Sequence, residues 1–277
     1  MTRLFGVIGS PIGHSLSPAM HAAALEALGL DACYTAIEVP PAHLGPMLRA
    51  LVLAGVEGLN VTVPLKARVL PLLDRVDPTA RAIGAVNTIV VRDRATTGYN
   101  TDGVGFLQAL RELGWRPGPV RAVVLGAGGS ARAVAWELTG IAGSDVLIAN
   151  RHPARAQQLV RWLVRARSRS RVRAVPLAAV PVKTCELLVN ATTVGMDAAA
   201  DEPLIDPTAL PRGAFVYDLV YHRTSSLVRA ARRRGCVAAD GRSMLLYQGA
   251  ASLRLWLARR PPIEVMRRAL NEVLGRR

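Results

Sequence analysis

Lys66 follows a β-rich run of the sequence, and amides and a carboxylate follow it further along the chain. The run Gly58–Val63 is rich in β-branched residues and predicts a buried strand, which Pro64 ends. In open α/β sheets, ligands bind beyond the carboxyl ends of strands, and a helix is predicted to begin here. Lys66 is therefore a candidate for chemistry, although a solvated lysine in a first helical turn is the commoner role of this residue type.

A glycine-rich loop suited to binding phosphate lies downstream. The segment Gly126-Ala127-Gly128-Gly129-Ser130-Ala131 falls between an apolar run that ends at Leu125 and a predicted helix that begins near Ser130. Glycines there let the backbone turn tightly and approach a pyrophosphate, whose charge is met by the amides of the helix N-terminus. Because strand, loop and helix come in this order, the segment predicts a dinucleotide site in preference to a glycine-rich turn without a ligand.

The end of the next predicted strand indicates which dinucleotide is bound. An NAD enzyme places Asp or Glu there to bind a ribose hydroxyl, but this chain has Asn150 and Arg151. A guanidinium forms charge-assisted bonds to a ribose phosphate, which a carboxylate would repel. Arg151 therefore predicts NADP(H) as the cofactor. Arg155, one helical turn further on, either reinforces the same site or is a plain surface arginine.

Two serines follow the first predicted strand, at the same sheet edge as Lys66. The hydroxyls of Ser15 and Ser17 are suited to binding a carboxylate or hydroxyls of a small polar ligand, aided by the N-terminus of the next helix. Ser17 alone is also a typical helix cap. We expect Ser17 to cap the helix and Ser15 to face the ligand. His14 and His21 lack a third ligand in a metal-binding pattern, so both are interpreted as structural, and no metal site is predicted.

Alternating strands and helices in two sets must position these residues. In the first set we expect, among others, helices at Ser17–Leu28 and near Ala67–Leu73. The second set follows a helix at Val104–Leu113, opens with the apolar strand Ala122–Leu125 and continues with further strands at Asp145–Ala149, Val172–Val175, Glu186–Val189 and Ala214–Leu219. Two last helices are predicted at Ser243–Ala258 and Pro262–Leu274. The pattern predicts an α/β protein, and 277 residues indicate two domains.

Composition favours a soluble cytoplasmic protein. Hydrophobic residues make up 51% of the chain, but no run of eighteen apolar residues and no signal region is present. The three cysteines, Cys33, Cys185 and Cys236, have no spacing typical of zinc or of a redox pair, so we expect small buried side chains.

The formal net charge of +15 is concentrated in one stretch. Eight arginines and no acidic residue occur between Arg151 and Arg173. Such a stretch can attract a polyanion, including nucleic acid or a phosphorylated cofactor. It has no interleaved aromatic residues, and its arginines, including Arg167 and Arg169, would not share one helical stripe. A solvated surface is therefore favoured, and no nucleic-acid or membrane partner is predicted.

Eight short motifs together resemble those of the shikimate dehydrogenase family over nearly the whole chain. They are Ser15-Leu16-Ser17-Pro18, Asn60-Val61-Thr62-Val63-Pro64-Leu65-Lys66, Ile83-Gly84-Ala85-Val86-Asn87-Thr88, Asn100-Thr101-Asp102-Gly103, Gly126-Ala127-Gly128-Gly129, Asn190-Ala191-Thr192, Tyr217-Asp218-Leu219-Val220-Tyr221 and Gln248-Gly249-Ala250. The resemblance implies reversible reduction of the ring ketone of 3-dehydroshikimate to shikimate with NADPH, in chorismate and aromatic amino-acid biosynthesis. We expect a monomer or homodimer.

The resemblance also implies an architecture. An N-terminal α/β substrate domain is expected at residues 1–102, and a Rossmann-type doubly wound NADP-binding domain at residues 103–241. The C-terminal helices, residues 242–277, are expected to return to the first domain.

Residue roles follow from the same resemblance. Lys66 would be the catalytic acid/base and Asp102 its partner. The residues implied to hold the substrate's carboxylate and hydroxyls are Ser15, Ser17, Thr62, Asn87, Tyr221 and Gln248. The residues implied to line the cofactor site are Gly126, Ala127, Gly128, Gly129, Ser130, Asn150, Arg151, Arg155, Thr192, Leu219 and Gly241.

One position departs from the family pattern. The usual threonine after Asn-Arg is replaced by His152, which Pro153 follows. A histidine can substitute for the threonine as a donor to the cofactor phosphate, more so when it is protonated. Arg151 and the lack of acidic residues nearby still favour NADP over NAD.

Two other functions stay open on sequence alone. A related dehydrogenase of broader specificity would accept quinate, which has a saturated ring and an extra hydroxyl. A catalytically silent NADP-binding regulator would use the same scaffold, but the intact Lys66 and Asp102 argue against it. For catalysis, an ammonium near the keto oxygen would stabilise its developing negative charge and deliver a proton.

Overall fold

The chain forms two α/β units, which confirms the fold class expected from its sequence. The computed structural model describes residues 2–166, 170–197, 199 and 201–275. The first unit combines Met1–Gly105 with Leu245–Arg277, and the second is Phe106–Met244. The C-terminal helices thus belong to the first unit, as the resemblance implied.

The first unit is built on a mixed six-stranded sheet of order β2-β1-β3-β5-β6-β4. Its strands are β1 (Arg3–Gly9), β2 (Ala32–Glu38), β3 (Val56–Val61), β4 (Arg75–Val76), β5 (Thr88–Arg92) and β6 (Ala95–Tyr99). β1 is parallel to β2 and β3, whereas β5 is antiparallel to both β3 and β6. This order places the end of β3 beside the start of β5.

Helices cover this sheet and bury its apolar residues. They are α1 (Ser17–Ala27), α2 (Leu44–Leu53), α3 (Pro78–Ile83), the C-terminal part of α8 (Arg242–Leu257) and α9 (Ile263–Gly275). α9 packs against α1. Residues between β3 and β5 complete the core, including Leu65 and Val86, which are fully buried. Leu65 and Val69, which flank Lys66 in the loop after β3, are both buried in this core, so the loop is fixed by packing on both sides of Lys66.

The second unit contains a parallel six-stranded sheet of order β12-β11-β10-β7-β8-β9. Its strands are β7 (Arg121–Leu125), β8 (Asp145–Ala149), β9 (Arg171–Val175), β10 (Leu187–Asn190), β11 (Phe215–Asp218) and β12 (Val237–Ala239). Helices of this unit are α4 (Asp102–Glu112), which begins in the first unit, α5 (Gly129–Thr139), α6 (Pro153–Ala166) and α7 (Ser226–Arg234). The strand order reverses between β7 and β10, and ligands of doubly wound sheets bind at such a switch point.

Several local expectations were wrong. Residues 63–68 form turns followed by a single 3₁₀ turn at Leu70–Leu72, so no α-helix begins at Lys66. Ser17 is the first residue of α1 and not its cap, because the capping position is taken by Leu16, whose side chain has no oxygen. Cys185 and Cys236 are buried as expected, but Cys33 is exposed.

The basic stretch is described only in part. Arg167, Ser168 and Arg169 lie outside the described residues, whereas Arg151, Arg155 and most of α6 lie within them. Within the described ranges, none of the helices has both the length and the apolar character needed to cross a bilayer.

Candidate active site

Lys66 is a buried residue of the first unit, and its ammonium group pairs with Asp102. The Lys66 Nζ lies 2.6 Å from Asp102 Oδ2, and the side chains are only 11% and 4% exposed, respectively. The Lys66 carbonyl accepts a hydrogen bond from Val86 N at 2.8 Å, which ties the turn after β3 to the segment before β5. Lys66 is thus not the solvated surface lysine that its residue type alone would favour.

Asp102 is held by its position at the start of α4. Its backbone N donates to Asn100 Oδ1 at 3.1 Å, and its side-chain Oδ1 accepts from Asn87 Nδ2 at 2.8 Å. A carboxylate in the first helical turn is also stabilised by the helix dipole. The geometry therefore fixes a charged pair that is bonded on both carboxylate oxygens.

Asn87 joins this pair to α8. Its Nδ2 also lies 2.9 Å from Thr101 Oγ1 and 3.2 Å from Gln248 Oε1 of α8, while its Oδ1 accepts from Thr101 N at 2.8 Å. Asn87 immediately precedes β5, whose pairing with β3 and β6 brings Val61 and Thr101 to it. The first unit thus brings together four of the residues singled out from the sequence, namely Lys66, Asp102, Asn87 and Gln248.

The sequence did not indicate a further set of buried hydrogen bonds, which is centred on Ser252 and Asn60. Ser252 of α8 is fully buried, lies 2.7 Å from Thr88 Oγ1 and accepts a bond from Asn60 Nδ2 at 2.9 Å. Tyr34 OH donates to Asn60 Oδ1 at 2.8 Å. The sequence signal was a polar residue within otherwise apolar segments, namely Asn60 in β3, Thr88 in β5 and Ser252 in α8. Such buried groups need hydrogen-bond partners.

The remaining residues predicted to bind the substrate lie at the start of α1, directly after β3 and in the second unit. Ser15 Oγ accepts from Ser17 N at 3.3 Å at the start of α1, where Ser17 is buried. Thr62 is half-buried directly after β3, and its N donates to Ile8 O at 2.9 Å. Tyr221 belongs to the second unit, where its ring lies 4.0 Å from that of His222.

The glycine loop of the second unit lies directly between β7 and α5, the position at which doubly wound sheets bind a pyrophosphate. Gly126 has a φ of +117°, and a Cβ there would lie 2.8 Å from Ala191 O. A Cβ on Gly128 would meet open space, and α5 begins directly afterwards at Gly129. Ala131 is fully buried against the sheet. Ala127 and Ser130, both half-buried, complete the loop. The open space beside Gly128 fits the approach of a phosphate.

The end of β8 presents the basic residues predicted to select the cofactor. Gly126 N donates to Ala149 O at 2.8 Å, which connects the glycine loop to this strand end. Asn150 Oδ1 accepts from His152 N at 2.8 Å and so shapes the turn. Arg151, His152 and Arg155 are all exposed. An exposed guanidinium beside the loop predicted to bind a pyrophosphate is suited to binding a second phosphate.

The other predicted cofactor residues line the ends of β10 and β11. Thr192 follows β10, and Leu219 follows β11. A Cβ on Gly241 would lie 2.6 Å from the Leu219 carbonyl carbon, so this position admits only glycine without a shift of the backbone. Within the described residues, no group of three or more His, Cys, Asp or Glu side chains is arranged to hold a metal ion.

Family models match two segments of the chain. One, described as the shikimate dehydrogenase substrate binding domain, matches residues 7–89. Another, described as the shikimate 5'-dehydrogenase C-terminal domain, matches residues 241–270.

Similar proteins extend over the full length. A protein of Moorella thermoacetica named shikimate dehydrogenase (NADP(+)) is 44% identical over 99% of this chain and 94% of its own length. The Thermus thermophilus shikimate 5-dehydrogenase, solved with NADP(H) and shikimate, has a TM-score of 0.88 at 40% identity, covering 98% of this chain and 99% of that one. The Corynebacterium glutamicum quinate dehydrogenase, solved with NAD, has a TM-score of 0.90 at 34% identity, covering 98% and 99%, respectively.

Proposed function

The chain belongs to the shikimate dehydrogenase family, and we propose that it catalyses the NADPH-dependent, reversible reduction of 3-dehydroshikimate to shikimate. The single observation that carries this proposal is the buried contact of 2.6 Å between Lys66 Nζ and Asp102 Oδ2. A regulator without catalytic activity would not need a buried charged pair, which is costly unless it is well bonded.

In this proposal Lys66 acts as the acid and Asp102 orients it. An ammonium has three donor hydrogens, so it can bond Asp102 and the keto oxygen of the substrate together. As negative charge develops on that oxygen, the ammonium stabilises it and then delivers a proton. In the reverse direction the amine accepts the proton from the hydroxyl. Asp102 is a positioning partner that also offers an acceptor for a neighbouring substrate hydroxyl.

We assign substrate recognition to residues whose groups complement a carboxylate and several ring hydroxyls. Hydroxyl and amide groups both donate and accept hydrogen bonds, which suits such a ligand. The proposed set is Ser15, Ser17, Thr62, Asn87, Tyr221 and Gln248. Shikimate is favoured over quinate as the substrate. The relative named for shikimate is 44% identical to this chain, whereas the one named for quinate is 34% identical.

We assign NADP(H) binding to the second unit. Gly126, Ala127, Gly128, Gly129 and Ser130 would hold the pyrophosphate, and Thr192, Leu219 and Gly241 would line the remainder of the site. Asn150, Arg151, His152 and Arg155 would bind the ribose phosphate. Bound NADPH supplies the hydride for the reduction.

Further assignments complete the proposal. Residues 1–102 and 242–277 form the substrate-binding and catalytic domain, and residues 103–241 form the NADP-binding domain. The enzyme acts in the cytoplasm as a monomer or homodimer, and neither nucleic acid nor a membrane is a partner. The exposed arginines of the basic stretch fit a solvated surface.

A spectrophotometric assay at the nicotinamide absorbance tests the function. The wild-type chain should oxidise shikimate with NADP⁺ faster than quinate, and faster than either substrate with NAD⁺. A preference for quinate would contradict the proposed substrate, and no turnover with any pair would contradict the proposed activity.

The variant Lys66→Ala tests the role of the lysine. Turnover should fall by at least about 100-fold, because general acid catalysis contributes about 10²- to 10⁴-fold. NADPH binding, measured by fluorescence, should persist. The exposed residue Lys183 provides a matched control, since Lys183→Ala should leave turnover unchanged. A Lys66→Ala variant with the wild-type rate would mean that the lysine is not the acid.

A further inference from the structure

The carboxylate of Asp218 connects three backbone segments at the carboxyl edge of the parallel sheet. Asp218 ends β11 and is fully buried. Its Oδ1 accepts from Asn190 Nδ2 at 2.9 Å and from Val220 N at 3.1 Å. Its Oδ2 accepts from Ser225 Oγ, which caps α7. One side chain therefore joins the end of β10, the loop after β11 and the start of α7.

Asn190 extends this connection into the loop after β10. Its Oδ1 accepts from Thr192 N at 3.1 Å and from Thr192 Oγ1 at 2.7 Å, and its Nδ2 also donates to Val194 O at 3.2 Å. Because Asn190 bonds both this loop and Asp218, the two strand-end loops are coupled through a single pair of side chains.

The loops after β10 and β11 lie close to Gly126 and Gly241, respectively, which belong to the proposed cofactor site. A Cβ on Gly126 would lie 2.8 Å from Ala191 O, and a Cβ on Gly241 would lie 2.6 Å from the Leu219 carbonyl carbon. Gly241 N donates to Val220 O at 2.8 Å. A shift of either loop would therefore change the space available next to the glycine loop.

We propose that Asp218 is a positioning residue for NADP(H) binding: its Oδ1, through Asn190, holds the 190–194 and 218–220 loops in the arrangement that the dinucleotide requires. The inference rests on the proposed function of the second unit. It adds a residue that touches neither the substrate nor the reacting atoms but acts through residues that line the cofactor.

The free-energy cost of burying the Asp218 carboxylate supports a functional role for this residue. A buried carboxylate is unfavourable unless its charge is compensated. The donors that bond Asp218 within the described residues, Asn190 Nδ2, Val220 N and Ser225 Oγ, are all neutral. Burial raises the pKa of Asp218 to about 6, with further upward influence from Asp240. An apolar residue at this position would avoid the cost but would leave Val220 N without its acceptor.

The acceptor oxygen, and not the charge, is what couples the loops. An amide at position 218 would keep Oδ1 for Asn190 and Val220, and its NH₂ group would donate to Ser225 Oγ, since a hydroxyl can also accept. Asp218→Asn should therefore preserve the arrangement, whereas Asp218→Ala removes it. This contrast separates positioning from a general requirement for an acidic residue.

The test compares dissociation constants for NADPH, measured by nicotinamide fluorescence. Asp218→Ala and Asn190→Ala should each raise the constant by at least about tenfold, as expected for loss of a buried hydrogen bond. The double variant Asp218→Ala/Asn190→Ala should lose little more NADPH affinity than either single variant, because each substitution alone already removes the bond between Asn190 and Asp218. Asp218→Asn should stay within about threefold of the wild type. The Michaelis constant for NADPH should rise in Asp218→Ala, with little change of kcat at saturating NADPH.

Asp201 provides a matched control in the same region. It accepts from Ser226 N at 2.9 Å and pairs with Arg223 and Arg229 at the start of α7. Asp201→Ala therefore removes an acidic side chain from the same helix end without removing the bridge between Asp218 and Asn190. Its NADPH affinity should be that of the wild type.

Three results would overturn the inference. They are wild-type affinity in Asp218→Ala, an equal loss in Asp218→Asn, and an equal loss in Asp201→Ala. If circular dichroism shows that Asp218→Ala does not fold, the NADPH affinity of Asn190→Ala is used instead. A loss of at least about tenfold supports the inference, and wild-type affinity overturns it. A wild-type chain that fails to bind NADPH would instead contradict the proposed function, which keeps the two failures distinct.

Discussion

At the residue scale, the neutral amide of Asn87 helps to hold the Lys66–Asp102 pair. Asp102 Oδ1 receives Asn87 Nδ2, and Oδ2 receives the ammonium. Breaking a buried pair by removing one charge leaves the other uncompensated. In Asp102→Asn we therefore expect turnover to fall by at least about 100-fold, because the lysine loses the group that orients it. Steady-state assays at saturating NADPH measure this loss.

Asp77 supplies the control for that variant. Its carboxylate accepts from Thr79 N and Ala80 N at the start of α3, and an asparagine at this position can still accept such bonds. Asp77→Asn should keep wild-type turnover. If Asp102→Asn is as active as Asp77→Asn, Asp102 has no part in orienting the lysine.

Cofactor choice is also a property of single residues. Arg151 is exposed at the end of β8 beside the glycine loop. Arg151→Asp should raise the Michaelis constant for NADPH by at least about tenfold, since a charge-assisted bond contributes about 1.5 to 3 kcal/mol. The constant for NADH, which lacks the ribose phosphate, should change much less. Arg161→Asp, on an exposed position of α6, should affect neither cofactor, and equal changes for both cofactors in Arg151→Asp would exclude the phosphate contact.

The sequence named the members of the Lys66–Asp102 cluster but not the buried bonds that Ser252 makes. Lys66, Asp102, Asn87 and Gln248 were all named from motifs, and they lie in one hydrogen-bonded cluster. The bonds of Ser252 to Asn60 and Thr88 were not foreseen. These partners are distant along the chain, so only the packing of α8 on the sheet reveals that a small polar residue is needed there.

At the scale of elements, close packing of α8 on β3 fixes where Gln248 lies. Trp256 of α8 is fully buried and donates from Nε1 to Ile89 O at 2.9 Å. A Cβ on Gly58 would lie 2.5 to 2.6 Å from ring carbons of Trp256. Gly58→Ala should therefore lower the free energy of unfolding by about 1 to 3 kcal/mol through overpacking. Urea denaturation measures the change.

Gly13 is the matched position for that substitution. It is exposed, and a Cβ there would meet no described atom within 4 Å. Gly13→Ala should leave the unfolding free energy within about 0.5 kcal/mol of the wild type. A Gly58→Ala variant as stable as Gly13→Ala would show that α8 does not pack closely on β3 in solution.

Long apolar strands were predictable, whereas short or irregular elements were not. The strands around Ala122–Leu125 and Asp145–Ala149 were predicted within one residue, because continuous apolar runs are typical of parallel sheets. β4 and β12 were missed, since two or three residues carry no periodicity. The expected helix after Lys66 was wrong because its residues form turns and one 3₁₀ turn.

At the scale of the whole molecule, assignment of the C-terminal helices was beyond composition and periodicity. α9 packs against α1, near the other end of the chain, and residues from 245 onward belong to the first unit. Amphipathic spacing indicates that a helix has an apolar face but not which surface covers it. Only the resemblance to a family supplied that placement.

A buried histidine links the stability of the protein to pH. His21 of α1 is fully buried and stacks on Tyr34 with ring centroids 4.4 Å apart. Neither ring nitrogen has a hydrogen-bond partner among the described residues. Desolvation lowers the pKa of His21 to about 3. Between pH 6.5 and pH 3, the imidazole of His21 therefore binds a proton in the unfolded chain but not in the folded one. The free energy of unfolding is at its full value above pH 6.5 and decreases as the pH falls through this range.

Comparison of the wild type with His21→Leu isolates this effect from other titrating groups. Between pH 6.5 and pH 5 the wild type should lose about 1.6 kcal/mol more than the variant. The slope rises from about 0.7 kcal/mol per pH unit at pH 6.5, where the unfolded histidine is half protonated, toward about 1.4. Leucine removes the titrating ring without removing a hydrogen bond, and urea unfolding at several pH values measures the difference. Asp218, whose pKa is raised, contributes in the opposite direction but equally in both chains. His43 is exposed, so His43→Gln should retain the pH dependence of the wild type. If His21→Leu and wild type lose stability in parallel, protonation of His21 is not what destabilises the fold.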